Sequence, residues 1–394
     1  QFLYSCAMNK NKLDLLLLGM AHSLNHSLFL VLPPLLERIT QDLGTNLGTM
    51  GLISTITFLT YGAGAMIGGP LSDRLGSLRV ARISIGLGGL VGLIFLVANN
   101  AYVFGLAMFL MALWASFYHP TANGLIAKAF PENTGGAMGI HNAAGNFGQV
   151  LTPTIAYFLG VFFNWRLSFV FFGILSLLTA WLLDRIEVEE GESGKRELSY
   201  IQFLRIPNLW IVLLYNVLVG FLFRSVDLFF PTFLSKERGL TGGLAAIANS
   251  LILLAGVAGQ ILGGRGSDRF GKTKTLMVAT TGICLSLLLL MILPVNKIGV
   301  ILFIILYGIS MFGHQPIVTS MVSLLSPRSV MGLSYGFMFF SAFGVGSLST
   351  TITGYLAEKY SLSAAFWLNT GIAGILLFVS LALWMKYKDH SRVR

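Results

Sequence analysis

The chain is short of charged residues, and that shortage excludes an ordinary water-soluble protein of its length. Only 11% of its 394 residues are Asp, Glu, Lys or Arg, whereas 55% are hydrophobic. The mean hydropathy is +0.77. A typical soluble chain has about a quarter of its residues charged. The composition therefore indicates an integral membrane protein.

Cysteine is also scarce, and the motifs of several enzyme classes are missing. Cys6 and Cys284 stand far apart and show no ligand spacing, so the sequence predicts neither a disulfide framework nor a metal site. There is no glycine-rich nucleotide loop, and no nucleophile with a base at a useful spacing. No soluble domain is present that could carry a signal. We therefore expect neither an enzyme nor a receptor, and no cofactor.

Long apolar runs account for most of the chain. A helix that spans a bilayer needs about 20 apolar residues, because its backbone polar groups must bond within the segment. The sequence predicts an all-α integral membrane protein with twelve transmembrane helices. The run after Lys10 and Lys12 is too long for the core of a signal peptide, so we expect an uncleaved first span. The predicted spans begin near Leu13, Gly48, Val80, Ala101, Gly135, Trp165, Leu209, Gly243, Thr275, Ile298, Val330 and Ser363.

The distribution of Lys and Arg predicts the orientation. With the amino terminus inside, nineteen of the 26 basic residues fall on the inner side and six on the outer side, and Arg224 lies within a span. Cytoplasmic loops retain positive charge, so we expect both termini in the cytoplasm of a multi-pass protein of the plasma membrane. This topology explains the net charge of +10 without any nucleic-acid partner.

One motif occurs twice, 195 residues apart. The pattern Gly-x-x-x-Asp-Arg-x-Gly follows the second predicted span and again the eighth. Glycines allow close approach of two helices, and a carboxylate at a helix end can accept backbone N–H groups or pair with Arg. We predict a conformational switch in each copy, formed by Gly69, Asp73, Arg74 and Gly76 and by Gly264, Asp268, Arg269 and Gly271.

The duplication divides the chain into two halves. The longest polar stretch, residues 184–205, has many charges and little apolar content, which is typical of a linker. We predict an N-terminal six-helix bundle at 1–183, a cytoplasmic linker at 184–208 and a C-terminal six-helix bundle at 209–394. Two similar bundles that rock about a site between them are the usual basis of alternating access.

These features resemble the major facilitator superfamily over the whole chain. Within it, three segments are similar to the fosmidomycin-resistance branch of drug exporters: residues 21–26, 117–120 and 145–149, which read AHSLNH, FYHP and GNFGQ. The resemblance implies two pseudo-symmetric bundles, with spans one, four, seven and ten lining a central cavity. Span five contains Gly139, Gly145, Gly148 and Pro153, which fits either an antiporter element or ordinary close packing.

Polar residues inside predicted spans are the candidates for substrate or proton binding, because such residues are costly in a bilayer. Imidazoles titrate near neutral pH and could carry protons. Each histidine could instead be a packing residue, and the two His-Pro regions could be helix kinks. The candidates are His22, Asn25, His26, His119, Asn123, His141, Asn142, Asn146, Arg224, Asp227, His314 and Gln315.

Arg224 and Asp227 lie three residues apart on span seven, so they share a helix face. The pair could be purely structural, or protonation of Asp227 could free Arg224 to hold an anionic substrate.

Two functions fit these observations. The first is a secondary transporter that exports small, partly apolar compounds, of the drug-efflux type, by alternating access and with the proton gradient as driving force. The alternative is an importer or exchanger of a polar or anionic metabolite, anchored by Arg224. Either would work with a small-molecule substrate and the lipid bilayer as partners, and we expect a monomer.

Overall fold

The protein is described by a computed structural model that covers residues 2–130, 132, 134–186, 200–293 and 297–387. Most of the predicted linker, residues 187–199, lies outside the described residues, as do the side chains of residues 1–12, including Cys6. Sixteen α-helices make up the described chain: α1 Phe2–Leu30, α2 Leu32–Asp42, α3 Leu47–Leu75, α4 Ser77–Ile94, α5 Ala101–Ala115, α6 Tyr118–Ala129, α7 Thr134–Leu159, α8 Trp165–Leu182, α9 Tyr200–Leu204, α10 Pro207–Lys236, α11 Gly242–Phe270, α12 Lys272–Ile292, α13 Lys297–Leu325, α14 Met331–Phe339, α15 Leu348–Lys359 and α16 Leu362–Tyr387.

Eleven helical stretches among the described residues are long and apolar enough to cross a membrane. The longest, Gly136–Arg185, has 50 residues and would extend about 75 Å as one helix. It contains two helices, α7 and α8. The Ser168 hydroxyl on α8 donates to the carbonyl of Ala156 on α7 at 2.8 Å, although twelve residues of continuous helix would separate them by about 18 Å. The chain therefore folds back between α7 and α8, where the sequence places spans five and six.

Three predicted spans are broken rather than continuous. Span one consists of α1 and α2, which meet at Val31 just before two prolines. Span four consists of α5 and α6, separated at Ser116 and Phe117, and Pro120 lies in the first turn of α6. A proline removes a backbone N–H and crowds the preceding turn, so the helix restarts near it. Span eleven is interrupted by a wider turn at Phe340–Gly344, between α14 and α15.

By its internal contacts the chain divides into two units. Unit 1 contains Gln1–Gly44 and Ala63–Lys195, and unit 2 contains Thr45–Gly62 and Arg196–Arg394. The first part of α3 therefore belongs with the second half of the sequence. Its Thr55 hydroxyl donates to the carbonyl of Ser347 at 2.7 Å. The predicted bundle boundaries of 1–183 and 209–394 remain a prediction from the sequence.

Glycines set the helix contacts within each unit. In unit 1, a Cβ atom placed on Gly148 of α7 would lie 1.9 Å from the Ser23 hydroxyl of α1. In unit 2, a Cβ on Gly263 of α11 would lie 2.0 Å from the carbonyl oxygen of Gly313 on α13. Contacts this close exist only because glycine has no side chain, as in other membrane helices that pack through small residues.

The two copies of the repeated motif have the same local geometry. Gly76 ends α3 with φ of 90°, and Gly271 ends α11 with φ of 92°. In each copy the glycine N–H bonds to a serine carbonyl four residues earlier, that of Ser72 at 3.0 Å and that of Ser267 at 3.2 Å. A positive φ of this size favours glycine. The sharp turn between adjacent spans is thus built twice from the same residue types.

Candidate functional site

Unit 1 brings together four of the predicted histidines. His22 and His26 lie on α1, His119 lies in the first turn of α6, and His141 lies on α7. The ring of His22 is 4.9 Å from that of His26, 4.9 Å from that of His119 and 4.3 Å from that of His141, measured between ring centroids. We call these four residues the histidine cluster.

The hydrogen-bond partners of the ring nitrogens indicate which of these nitrogens carry a proton. His22 Nδ1 lies 3.0 Å from the carbonyl oxygen of His141. Because a carbonyl can only accept, His22 Nδ1 carries the proton and the Nε2 of neutral His22 is an acceptor. His22 Nε2 lies 3.1 Å from His26 Nε2, so His26 donates in this pair. The lone pair of His22 Nε2 therefore points toward His26.

Other contacts fix the helices that hold the cluster. The Asn25 amide donates to the carbonyl of Ala115 at 2.9 Å, and the Tyr118 hydroxyl donates to the carbonyl of Leu18 at 2.6 Å. Both bonds join α1 to the break between α5 and α6, where His119 is located. Asn25 therefore has a positioning role in this structure.

Gly145 makes room for the ring of His22. A Cβ atom at Gly145 would lie 2.5 Å from His22 Nδ1 and 2.6 Å from Cε1, which is closer than van der Waals contact allows. The ring of His22 thus lies directly against the backbone of α7. His22 and His141 are buried, whereas His26 and His119 are half-buried, so the cluster is more accessible at His26 and His119.

Unit 2 contains the predicted charged pair on α10. Arg224 Nη1 lies 3.5 Å from Asp227 Oδ2, and both side chains are about nine-tenths buried or more, with 7% and 6% of their surface exposed. The guanidinium also lies over three phenyl rings, those of Phe58, Phe223 and Phe343, at 4.1, 4.5 and 4.8 Å from the ring centroids. The positive charge is thus held by one carboxylate and by aromatic faces.

The remaining candidates of unit 2 lie on α13. His314 is buried and its Nδ1 donates to the carbonyl of Met311 within the same helix. Gln315 Oε1 accepts from the Gln260 amide of α11 at 2.9 Å. His314 therefore does not belong to the histidine cluster, and Gln315 links two helices.

The other polar candidates of unit 1 differ in exposure. Asn123 of α6 and Asn142 of α7 are exposed, and Asn146 is half-buried. His141, one residue before Asn142, is fully buried. Adjacent positions on α7, about 100° apart around the helix, thus place one residue in the histidine cluster and the next at an exposed position.

The repeated motif departs from expectation at two points. Asp73 and Asp268 lie within the last turn of α3 and α11 rather than beyond the helix ends, and both are exposed. Close helix contact occurs at Gly68 and Gly263, one residue before the predicted Gly69 and Gly264.

A Cβ on Gly68 would lie 2.7 Å from Pro120 Cγ, whereas one on Gly69 or Gly264 would have no atom within 4 Å. The two glycines of each pair face different directions because successive residues of a helix are rotated by about 100°. In both copies the earlier glycine, Gly68 or Gly263, makes the contact with the neighbouring helix. The Gly-Gly pair in both copies indicates a close helix contact, but the sequence does not show which of the two glycines makes it.

The sequence also missed how the histidines combine. His22 and His26 at positions i and i+4 lie on one helix face, and this spacing is typical of metal-binding histidine pairs. The atoms that His22, His26 and His119 offer as ligands all lie within 4.8 Å of one another.

A model of the family described as Major Facilitator Superfamily matches residues 15–350. The glycerol-3-phosphate transporter of Bacillus subtilis strain 168 is 22% identical over 379 residues, which cover 87% of this chain and 85% of that protein. The multidrug resistance protein MdtG of Escherichia coli O9:H4 strain HS is 25% identical over 355 residues, with coverage of 85% and 83%.

Among solved structures, that of the nucleoside transporter NupG superposes with a TM-score of 0.83. The match covers 94% of this chain and 100% of that one, at 13% sequence identity. At this identity the likeness concerns the fold alone.

Proposed function

The chain belongs to the Major Facilitator Superfamily, and from that premise we propose that it carries a small organic anion across the membrane. It is an all-helical multi-pass membrane transporter that works by alternating access, not an enzyme. The substrate class is the part that we propose. In this proposal the carrier is a monomer of the plasma membrane with both termini cytoplasmic, as the charge distribution predicts.

The buried guanidinium of Arg224 carries the proposal. A guanidinium has five N–H donors in a planar fork that matches carboxylate and phosphate groups. Asp227 lies at 3.5 Å, whereas a strong charge-assisted hydrogen bond measures about 2.7–2.9 Å. The surrounding phenyl rings stabilise the charge but offer no lone pairs to the donors. The fork is therefore fixed in place yet suited to receive the oxygens of an anion.

Asp227 supplies a way to couple transport to protons. When Asp227 is ionised, it competes with the substrate for Arg224. When it is protonated, the guanidinium is released to bind an anion. Proton binding and anion binding then favour one another, and we propose that the proton gradient drives transport. The relative named as a glycerol-3-phosphate transporter supports an anionic cargo, since its named substrate is an organic phosphate.

The test is anion counterflow in proteoliposomes that contain the full chain, with glycerol 3-phosphate and a set of small carboxylates as probes. The substitution Arg224→Gln removes hydrogen bonds to a charged group, which are worth about 1.5–3 kcal/mol each. We expect the apparent affinity for the anion to fall by about 10–150-fold. The matched control is Lys236→Gln, which removes one exposed positive charge from the end of the same helix and should leave transport unchanged.

A second variant separates loss of binding from loss of folding. Arg224→Gln alone leaves a buried carboxylate without its cation, which is costly. The double variant R224Q/D227N removes both charges and should fold, as judged by gel filtration, but not transport the anion. Anion counterflow at the wild-type rate in this double variant would refute the proposal.

Drug export is the second candidate, and the specific observation in its favour is the relative named as a multidrug resistance protein. The resemblance to the fosmidomycin-resistance branch stays a prediction. Inside-out vesicles with an imposed pH gradient distinguish the two functions. Gradient-driven uptake of a dye-like drug, together with no anion counterflow, would replace the anion carrier by an antiporter of the efflux type.

A further inference from the structure

We propose that His22, His26 and His119 form a binding site for one divalent transition-metal ion of the zinc, cobalt or nickel type. This inference goes beyond the proposed anion transport, and it rests on residues of unit 1 that do not include Arg224. It also differs from the sequence-based expectation of no metal site, which was drawn from the two cysteines.

The spacing of the ligand atoms fits such an ion. With Zn–N bonds of about 2.0–2.1 Å, two ligands of a tetrahedral site lie about 3.3 Å apart. The Nε2 atoms of His22 and His26 are already 3.1 Å apart. The three ligand atoms lie within 4.8 Å of one another, so the third must move by at most about 1.5 Å. His119 is half-buried, and rotation of its side chain can supply a movement of this size.

The tautomer of His22 is the one that a metal requires. A histidine that binds a metal through one ring nitrogen usually donates the other N–H to a carbonyl or carboxylate. His22 Nδ1 donates to the carbonyl of His141 at 3.0 Å, which leaves Nε2 as the electron-pair donor. His26 offers a second lone pair when its proton is on Nδ1 instead of Nε2, a change of tautomer that leaves its charge the same.

The surrounding structure holds His22 in place for this role. The ring stacks on that of His141 with the two planes 19° apart. The His22 ring also lies so close to the backbone of α7 that any side chain at position 145 would collide with the ring. A metal ligand needs its ring orientation fixed in this way.

The chemistry of the donors indicates the type of ion. Imidazole nitrogens suit zinc, cobalt, nickel and copper, whereas magnesium and calcium prefer oxygen ligands. Three neutral imidazoles leave both positive charges of the ion uncompensated. The remaining coordination position then suits water or an oxygen atom of an anion, as in open three-histidine zinc sites.

Cobalt provides a direct test, because a Co²⁺ ion bound by nitrogen ligands absorbs visible light. The full chain, purified in detergent and with any histidine tag removed, is titrated with Co²⁺ and then with Zn²⁺. We expect visible bands that saturate at one ion per chain and disappear when Zn²⁺ displaces Co²⁺. Wild-type protein that shows no saturable site would overturn the proposal whatever the variants do.

Substitutions then assign the ligands. His22→Ala, His26→Ala and His119→Ala should each weaken binding at least as much as the loss of an outer-shell partner, which costs about 10–100-fold. Gly145→Ala displaces His22 without removing a ligand and should weaken binding by about 10–100-fold.

Two matched controls should bind as the wild type does. His314→Ala removes a buried histidine of unit 2, and Gly139→Ala adds a methyl group on α7 where no atom lies within 4 Å. Equal affinity in His26→Ala and the wild type, with both folded by gel filtration, would refute the assignment.

Discussion

The substitution Gly263→Ala should destabilise unit 2, whereas Gly264→Ala, one residue further along α11, should not. A Cβ atom at position 263 would lie 2.0 Å from the Gly313 carbonyl oxygen, 2.7 Å from its carbon and 2.8 Å from its Cα. Ordinary contact requires about 3.4 Å, so α11 and α13 would have to separate by more than about 1 Å. The atoms nearest to the added methyl group all belong to the backbone of Gly313, so no side-chain rotation can relieve the contact.

The expected magnitude follows from comparing the two variants. Replacing glycine by alanine inside a helix is favourable by up to about 1 kcal/mol at either position. Overpacking costs about 1–3 kcal/mol and applies only at position 263, since a Cβ at position 264 meets nothing within 4 Å. The difference in unfolding free energy between the two variants should therefore be about 1–3 kcal/mol. For a unit of about 200 residues this corresponds to about 2–12 °C in Tm.

Thermal unfolding of the purified protein in detergent, followed by circular dichroism, measures this difference. We expect Gly264→Ala to unfold at or above the wild-type temperature and Gly263→Ala below it. Equal Tm values for the two variants would show that α11 and α13 are not in backbone contact at Gly313, and the packing role given to Gly263 would be wrong.

Three further substitutions test other parts of the structure. Gly76→Ala places a side chain on a residue with φ of 90° and should lower the unfolding free energy by about 1–3 kcal/mol. A Tm equal to that of the wild type would mean that alanine adopts this backbone conformation without strain. Thr55→Val removes a hydroxyl that bonds to the Ser347 carbonyl and lies 2.9 Å from Thr350 Oγ1, at an expected cost of about 1–3 kcal/mol. The control is Thr60→Val, which removes a hydroxyl that donates to the Ile56 carbonyl of its own helix; this variant should unfold at a higher temperature than Thr55→Val. Asp227→Asn should abolish gradient-driven anion transport while counterflow persists, and driven transport at the wild-type rate would remove Asp227 from proton coupling.

The described helices show which features can be predicted from sequence. The runs that become α4, α11, α12 and α16 are each long and apolar enough to cross a bilayer, and backbone hydrogen bonding in lipid permits little except a helix. The repeated glycines at Gly76 and Gly271 marked the two sharp turns, because only glycine adopts their φ readily. The breaks near Pro33 and Pro120 also follow from local chemistry. A kink at Pro120 was one of the two interpretations that the sequence allowed for its His-Pro region, whereas the break near Pro33 was not predicted.

Details of the candidate site were harder to predict. His22 and His26 share a helix face by their spacing alone. That His119 and His141 reach the same place depends on how α6 and α7 pack against α1, and this packing is set by contacts such as that of Asn25 with the Ala115 carbonyl. Similarly, the sequence placed Arg224 beside Asp227, but the phenyl ring of Phe58 comes from 166 positions earlier in the chain.

Hydropathy, helix length and motif spacing are local properties of the chain, and they are enough to predict the membrane class, the helical fold, the duplication and the family. They do not predict which glycines bring helices into contact or which histidines meet. Those outcomes depend on the rotation and offset of each helix against its neighbours. A difference of one residue rotates a position by about 100°, and that rotation separates the closely packed Gly263 from the open Gly264.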